Sequence, residues 1–315
     1  MTLLELDHVD FRYPDGGIGL AGCSLTIESG SRNALIGANG SGKTTLFQHC
    51  NGLLRPQSGL VRYAGKPLDY SRGGLRELRS RVGLVFQNPD HQLFSASVAE
   101  DVSFGPVNLG LDQHTVRQRV AAALAAVNMA GHADKAVHNL SFGQKKRVCI
   151  AGVLAMEPEL LVLDEPMAGL DQRMRSELLA VLDGLHARGI TLLLATHDID
   201  FAYRWGERIH LIDAGACTAS LAAADLANAD DALSALGLPL PTVVEVHRRL
   251  CAQGLLPSRP IPRSHGELLE MLARPEPKNH GEGSQVLAQR HMEKIVIPAQ
   301  AGIQSTALDS GSSPE

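Results

Sequence analysis

The chain has 315 residues, 44% of them hydrophobic, and a formal net charge of −5 at pH 7. These values are typical of a globular protein of one large or two ordinary domains with a sizeable core. The acidic balance and the 4% aromatic content argue against a surface devoted to nucleic acid, and no nucleic-acid partner is expected. No stretch approaches the roughly 18 apolar residues of a membrane-spanning helix, and the amino terminus lacks the pattern of a secretory signal. The five cysteines form no CxxC pair, which predicts reduced thiols in a cytoplasmic protein.

The first part of the chain alternates short apolar segments with turn residues, a pattern typical of strands. A helix is predicted over 43–50, directly after a glycine-rich loop. From about 97 to 158 the pattern becomes helical, because apolar residues recur at spacings of three and four. The residues of that apolar face are Val116, Val120, Leu124 and Val127. The predicted strands of the first part are 3–9, 24–27, 32–36, 59–63 and 82–86.

Strand patterns return after this helical region, at 160–163, 190–195 and 208–212, with an amphipathic helix predicted over 172–187. Strands that alternate with helices of this length indicate a mostly parallel sheet with helices on both faces.

The carboxyl-terminal part changes in composition. Two helices are predicted, over 242–251 and 264–272, and from Pro275 onward polar and small residues dominate. We therefore predict a main domain over 1–225 with a helical subdomain at about 91–158, a helical extension over 226–273, and a disordered tail over 274–315.

One glycine-rich loop fits G-x-x-x-x-G-K-[ST] at every fixed position and lies between a predicted strand and a predicted helix. Its glycines let the main chain approach a phosphate chain, and the helix start supplies partial positive charge. Lys43 would bind the β- and γ-phosphates and Thr44 would ligate Mg²⁺; the alternative is a glycine turn that binds nothing. The predicted nucleotide-binding residues of this loop are Gly37, Asn39, Gly40, Ser41, Gly42, Lys43, Thr44 and Thr45.

A second predicted element of the site follows the apolar strand 160–163, which ends in Asp164 and Glu165. Ligands of open α/β sheets bind at the carboxyl ends of strands, and a carboxylate pair there needs a partner. We expect Asp164 to hold Mg²⁺ through water and Glu165 to polarise the attacking water in phosphoryl transfer. The alternative is a solvated acidic turn. The histidines lack metal-ligand spacing, so no structural metal besides Mg²⁺ is predicted.

The segment Leu140-Ser-Phe-Gly-Gln144, followed by Lys-Lys-Arg147, resembles the signature LSGGQ of the ATP-binding subunits of ABC transporters. The resemblance covers about residues 3–221, with the motifs in family order. Phe142 replaces the first glycine of the signature. Ser141 and Gly143, which the resemblance places against the γ-phosphate bound by another subunit, are kept, as is Gln144, so function is expected to survive. Ser141 and Gln144 also fit a capping box at a helix start, and both interpretations can hold.

The resemblance also implies roles for four single residues. Tyr13 would stack on adenine, with a core aromatic at a strand end as the alternative. Gln87 matches the loop glutamine that touches Mg²⁺ and moves with the transport partner, and His197 matches the histidine that contacts the γ-phosphate. Asp171 would act across a dimer, or would instead cap the helix 172–187.

The fold implied by the resemblance is an α/β P-loop NTPase of the ABC type. It has a mostly parallel sheet flanked by helices, an N-terminal antiparallel β region, a helical insert and a small C-terminal helical extension. The implied activity is hydrolysis of ATP with Mg²⁺ by a homodimer, or by a heterodimer with a related ATPase subunit. The implied partners are a transmembrane coupling subunit and a substrate-binding membrane protein, at the cytoplasmic face of the inner or plasma membrane.

Two segments favour one branch of this family. Residues 85–94 closely resemble the glutamine loop of energy-coupling-factor importers and of cobalt and nickel importers, and 238–241 with the following helix resemble the dimerising extension of that branch. They predict a motor for uptake of a cobalt or nickel ion or of a vitamin such as biotin; the extension is alternatively a packing appendage.

The alternatives are an exporter and a soluble ABC ATPase of DNA repair or translation. The short sequence separation between Lys43 and Ser141 and the single set of motifs argue against the soluble ATPase.

A run of basic residues predicts a solvated helix face or, alternatively, a contact with the membrane surface or a partner. The residues of this run are Arg72, Arg76, Arg79 and Arg81.

Overall fold

The computed structural model describes residues 1–273 and contains two β-sheets; the tail predicted over 274–315 lies outside the described residues. The strands are β1 (Thr2–Arg12), β2 (Ile18–Glu28), β3 (Arg32–Ile36), β4 (Ser58–Tyr63), β5 (Lys66–Pro67), β6 (Val82–Val85), β7 (Leu160–Leu163), β8 (Thr191–Thr196), β9 (Arg208–Asp213) and β10 (Ala216–Ala222). The predicted strands at 32–36 and 160–163 match to the residue. The strand predicted over 24–27 is the end of the longer β2, and β10 was not predicted.

The two sheets differ in strand direction. The smaller sheet is antiparallel, in the order β2-β1-β4-β5. The larger sheet has the order β10-β9-β3-β8-β7-β6, and its strands are parallel except for β10. β7 and β8 are buried along their whole length, as expected for central strands with both faces covered. The predicted α/β fold class, with its antiparallel N-terminal region, is confirmed.

Some helices pack against the larger sheet, and others form the predicted helical insert. They are α1 (Lys43–Cys50), α2 (Arg72–Arg81), α3 (Val98–Asn108), α4 (Gln113–Ala126), α5 (Phe142–Leu154), α6 (Gln172–Ala187), α7 (Ile199–Trp205), α8 (Asp230–Ala235), α9 (Thr242–Ala252) and α10 (His265–Ala273). α1 and α6 have their predicted bounds. The predicted apolar face of the insert is buried, with Val116, Val120, Leu124 and Val127 in one cluster with α5. No helix of residues 1–273 is both long and apolar enough to cross a bilayer.

The order of the parallel strands determines where the functional residues meet. β3, β6, β7 and β8 run side by side, so their carboxyl ends share one edge of the sheet. β3 is followed by the glycine loop and α1, β6 by Gln87, β7 by Asp164, and β8 by His197. Four segments that are distant in sequence therefore converge at one edge.

The C-terminal helices pack against α7, the helix that follows His197. Both carboxylate oxygens of Asp200 accept hydrogen bonds from Thr242, one from its main-chain N–H at 2.6 Å and one from its hydroxyl at 2.7 Å. At the other end of α7, the Arg263 guanidinium donates to the carbonyls of Tyr203 and Gly206. A cation at a helix carboxyl terminus satisfies unpaired carbonyls and complements the helix dipole. The predicted boundary at 225/226 stays a prediction.

Stability should fall in acid because His210 is buried between β3 and β10. Its Nε2 lies 3.2 Å from Asn33 Oδ1 and its Nδ1 lies 2.8 Å from Ser220 Oγ. Burial, assisted by the nearby Arg208, lowers the pKa of His210 to about 3. Between pH 6.5 and pH 3, His210 is protonated in the unfolded chain and neutral in the folded chain. The contribution of neutral His210 to the free energy of unfolding is therefore complete above pH 6.5 and is lost as the pH falls towards 3.

We expect this effect to remove about 2 kcal/mol from the free energy of unfolding between pH 7 and pH 5. His210→Gln does not titrate and should lack that loss, so the stability difference between wild type and variant should shrink in acid. Urea unfolding at both pH values measures it. An equal difference at the two pH values would contradict the prediction.

Candidate functional site

Most of the predicted nucleotide-binding residues line one cleft of about 660 Å³ at the carboxyl edge of the larger sheet. A volume in this range accommodates a nucleotide-sized ligand. The cleft is lined by Tyr13, Asn39, Gly40, Gly42, Lys43, Thr44, Thr45, Gln87, Asp164, Glu165 and His197, and also by Ile18. Ile18 was not predicted to belong to the site; it is the first residue of β2, in a part of that strand that was not predicted from the sequence.

The glycine loop has a main-chain path that side chains would obstruct. Gly42 has φ +106°, and a Cβ there would lie 2.6 Å from the carbonyl oxygen of Gly19. A Cβ on Gly37 would lie 2.2 Å from the carbonyl oxygen of Ile212. Gly37 and the buried Ser41 do not line the cleft. A glycine loop that lines the cleft and leads into the start of α1 is an arrangement that binds phosphates.

Lys43 lies where this loop leads into α1. Its side chain is buried, and Nζ donates hydrogen bonds to the carbonyls of Gly37 at 2.8 Å and Ala38 at 2.9 Å. Lys43 also lines the cleft, with Nζ 3.9 Å from the nearer carboxylate oxygen of Glu165. A full positive charge is thus held where the loop can receive a polyanion.

Thr44 and Asp164 form the oxygen-donor pair of the site. Thr44 Oγ1 donates to Asp164 Oδ2 at 2.7 Å. Burial raises the pKa of Asp164 above its ordinary value, and the hydrogen bond from Thr44 opposes that rise. A buried carboxylate, a hydroxyl and the nearby Gln87 amide are hard oxygen ligands and fit Mg²⁺. When bound there, Mg²⁺ would supply charge neutralisation at the phosphates.

Glu165 and His197 form the candidate catalytic pair. Glu165 Oε2 lies 3.2 Å from His197 Nδ1. The Glu165 side chain is only 11% exposed, whereas that of His197 is 70% exposed. Glu165 has a left-handed main chain with φ +42°, a conformation that is uncommon outside glycine and is often found at functional sites. A carboxylate oriented in this way can accept a proton from water at the cleft.

Tyr13 is an aromatic residue in the lining of the cleft. Its hydroxyl lies 2.8 Å from Thr45 Oγ1, and its ring packs edge-on against Phe11 with centroids 5.1 Å apart. The ring is held by two contacts yet remains partly exposed and lines the cleft. This geometry suits stacking on a nucleobase better than the alternative of a core aromatic.

The signature residues do not line this cleft within one chain. Ser141, Gly143, Gln144 and Asp171 line a separate cavity of about 280 Å³ beside the start of α5. The predicted capping box is confirmed, since Ser141 Oγ accepts from Gln144 N and Gln144 Oε1 accepts from Ser141 N. The predicted capping of α6 is confirmed as well, because Asp171 Oδ1 accepts from Met174 N at 2.8 Å. The start of α5 is thus capped by side chains of its own first turn and lies beside this separate cavity.

Phe142, the departure from the signature, packs on the loop that follows β7. A Cβ on Gly169 would lie 3.1 Å from Phe142 Cε1, so the ring lies directly over that glycine. Lys146 Nζ lies 5.2 Å from the ring centroid, within the range of a cation–π contact. The ring is partly exposed and does not line the signature cavity.

Phe142→Gly is therefore expected to leave the steady-state ATPase rate within a few-fold of wild type. The ring covers neighbouring residues without entering the cleft, and glycine at the first turn of α5 should lower stability by only about 1 kcal/mol. Initial-rate assays and thermal unfolding of the same preparation check both statements. A large gain in rate would instead show that Phe142 restrains turnover.

Comparison with known proteins agrees with this geometry. The sequence profile of the ABC transporter family matches residues 20–168. The chain is 42% identical over 252 residues to the energy-coupling factor transporter ATP-binding protein EcfA of Methanothermobacter thermautotrophicus, covering 80% of this chain and 81% of the relative.

Two solved structures share the fold. One is cbiO1 of Clostridium perfringens, part of the ABC transporter complex cbiONQ, at 42% identity and TM-score 0.67 over 78% of this chain and 99% of that chain. The other is the dimeric, post-hydrolysis ATP-binding cassette MJ0796 bound to ADP and Pi, at 26% identity and TM-score 0.64 over 70% and 99% of the two chains. The present chain belongs to the family of ABC transporter ATP-binding proteins. It is an ATPase subunit of that class and, within it, resembles the energy-coupling-factor branch.

Proposed function

We propose that this chain powers the import of a micronutrient, either a cobalt or nickel ion or a vitamin, through an energy-coupling-factor membrane complex. The observation that carries the proposal is the position of segment 85–94. Gln87 at one end lines the nucleotide cleft, whereas Gln92 and Phe94 line a separate groove of about 810 Å³ between α2 and α3. One short segment thus reaches both the ATP site and an outer groove, as a coupling element must.

In this proposal, each group of site residues has its own role in ATP hydrolysis. Tyr13 and Ile18 receive the base, and the loop from Gly37 to Thr45 with Lys43 receives the phosphates. Thr44, Asp164 and Gln87 hold Mg²⁺. Glu165 accepts the proton of the attacking water, and His197 lies beside it to contact the γ-phosphate.

The signature cavity leads us to propose a dimer of ATPase subunits. Because Ser141, Gly143 and Gln144 lie away from the cleft of their own chain, they would complete the site of a second subunit, with Asp171 next to that contact. The similar MJ0796 cassette is dimeric. This chain has a full set of motifs, so a homodimer would have two competent sites; a heterodimer with a related subunit satisfies the same geometry.

We propose that the extension 226–273 helps to hold the two subunits together, and that the main domain ends near residue 225. Leu269 and Leu272 of α10 are exposed apolar residues available for such a contact. The outer groove between α2 and α3 would receive the transmembrane coupling subunit. This chain would then lie at the cytoplasmic face of the membrane, beside a substrate-binding membrane protein.

The test is to purify the tagged chain from detergent-solubilised membranes, identify the membrane proteins bound to it, and reconstitute the complex in liposomes with ATP inside. Labelled Co²⁺, Ni²⁺ and biotin are supplied outside in turn. We expect ATP-dependent accumulation of one substrate, and none for the complex containing Glu165→Gln. Release to the outside of label that is sealed inside together with the ATP would instead indicate an exporter. Recovery with ribosomes or DNA and without a membrane protein would refute the transport function.

A further inference from the structure

A lysine outside the described nucleotide cleft binds the main chain of residues 165–168, which we call the catalytic turn because it begins with Glu165. Lys146 lies in the second turn of α5 and is 3% exposed. Its Nζ donates to the carbonyl oxygens of Glu165 at 3.3 Å, Pro166 at 2.8 Å and Ala168 at 2.8 Å. An ammonium group has three N–H donors, so all of them are directed at one four-residue turn.

The turn bound by Lys146 determines where the Glu165 carboxylate points. Residues 165–168 are closed by a hydrogen bond from Ala168 N to Glu165 O at 3.1 Å. Glu165 has the left-handed φ of +42°, which a non-glycine residue keeps only when its surroundings hold it there. From this position its carboxylate reaches Lys43 and His197.

Filling space does not account for a lysine at this position. Burial of an ammonium group is costly and lowers the pKa of Lys146 to about 8. An apolar side chain of the same length would fill the volume without that cost. What the ammonium adds is three directed hydrogen bonds, covered on one side by the Phe142 ring.

We propose that Lys146 is a positioning residue for ATP hydrolysis, which ties the signature helix α5 to the turn that carries Glu165 and so sets the orientation of the catalytic carboxylate. The proposal rests on the proposed role of Glu165 as the base. Lys146 then joins two parts of the chain in one hydrogen-bonded unit. One part is the start of α5, which would contact the nucleotide of a second subunit; the other is Glu165, the catalytic base in the chain's own cleft.

The first test replaces Lys146 with methionine, which keeps the length and removes the donors. We expect kcat for ATP to fall by about 10- to 100-fold, the effect of misplacing a reacting group, while the dissociation constant of a fluorescent ATP analogue stays unchanged. Lys135→Met, at an exposed lysine of the same helical region, is the matched control and should behave as wild type. Wild-type kcat in a folded Lys146→Met protein would overturn the proposal.

A double-mutant cycle with Glu165→Gln separates positioning from general support of the fold. If Lys146 acts through Glu165, then Lys146→Met should not lower the single-turnover rate further when Glu165 is already glutamine. Multiplicative losses would overturn the proposal. Wild-type activity of Glu165→Gln alone would refute the role of Glu165, which is a different failure.

If the methionine variant does not fold, Lys146→Gln replaces it in the same cycle, because its amide keeps donors on a side chain one bond shorter. Its kcat should lie between those of wild type and Glu165→Gln, and its loss should likewise vanish in the Glu165→Gln background. A loss that persists in that background would overturn the proposal.

Discussion

Glu165→Gln is expected to lower kcat for ATP by about 10²- to 10⁴-fold, the usual contribution of a general base. The amide has nearly the same shape as the carboxylate but cannot accept a proton from water. The Glu165 carboxylate lies 3.9 Å from Lys43 Nζ and 3.2 Å from His197 Nδ1, and the substitution removes the proton-accepting charge from that position. ATP binding should remain, because the phosphate loop and Asp164 are unchanged.

Three measurements test this expectation: steady-state ATPase rate, affinity for a fluorescent ATP analogue, and molecular mass by light scattering with ATP. The variant should bind ATP, turn over slowly and accumulate as a dimer. Glu157→Gln, at an exposed glutamate that pairs with Arg119, is the control and should match wild type in all three. Wild-type hydrolysis by Glu165→Gln would remove Glu165 from catalysis.

Lys43→Ala is expected to weaken ATP binding by about 10- to 100-fold, because hydrogen bonds to charged groups contribute about 1.5–3 kcal/mol each. The substitution removes the only side-chain cation of the loop 37–45. It also removes the two hydrogen bonds from Nζ to Gly37 and Ala38 that help to shape that loop. Hydrolysis at subsaturating ATP should fall at least as much as binding does.

Titration calorimetry with ATP and with ADP measures the loss, and circular dichroism shows that the variant is folded. Lys66→Ala, at an exposed lysine in the smaller sheet, should bind both nucleotides as wild type does. Unchanged ATP affinity in folded Lys43→Ala protein would refute the role of the phosphate loop.

Features that depend on neighbouring residues could be predicted from the sequence alone. The strand 32–36, the glycine loop and the helix 43–50 are contiguous, and each depends on local φ/ψ preference and on hydrogen bonds within a few residues. The capping box of Ser141 and Gln144 and the Asp171 cap follow the same logic. Convergence of Lys43, Asp164 and His197 was predictable because parallel strands end at one edge.

Only the tertiary structure decided which main-chain carbonyls a buried side chain meets. The three acceptors of Lys146 are main-chain carbonyls, which every residue has, so nothing in the sequence marks Glu165, Pro166 and Ala168 as its partners. The hydrogen bonds from Arg263 to the carbonyls of Tyr203 and Gly206 at the end of α7 have the same character. Local propensity acts over one turn of chain, whereas a buried charge binds whichever carbonyls the packing of helix on sheet brings within hydrogen-bond distance. The sequence by itself thus determined the chemistry of this protein, and the packing determined how its catalytic turn is held.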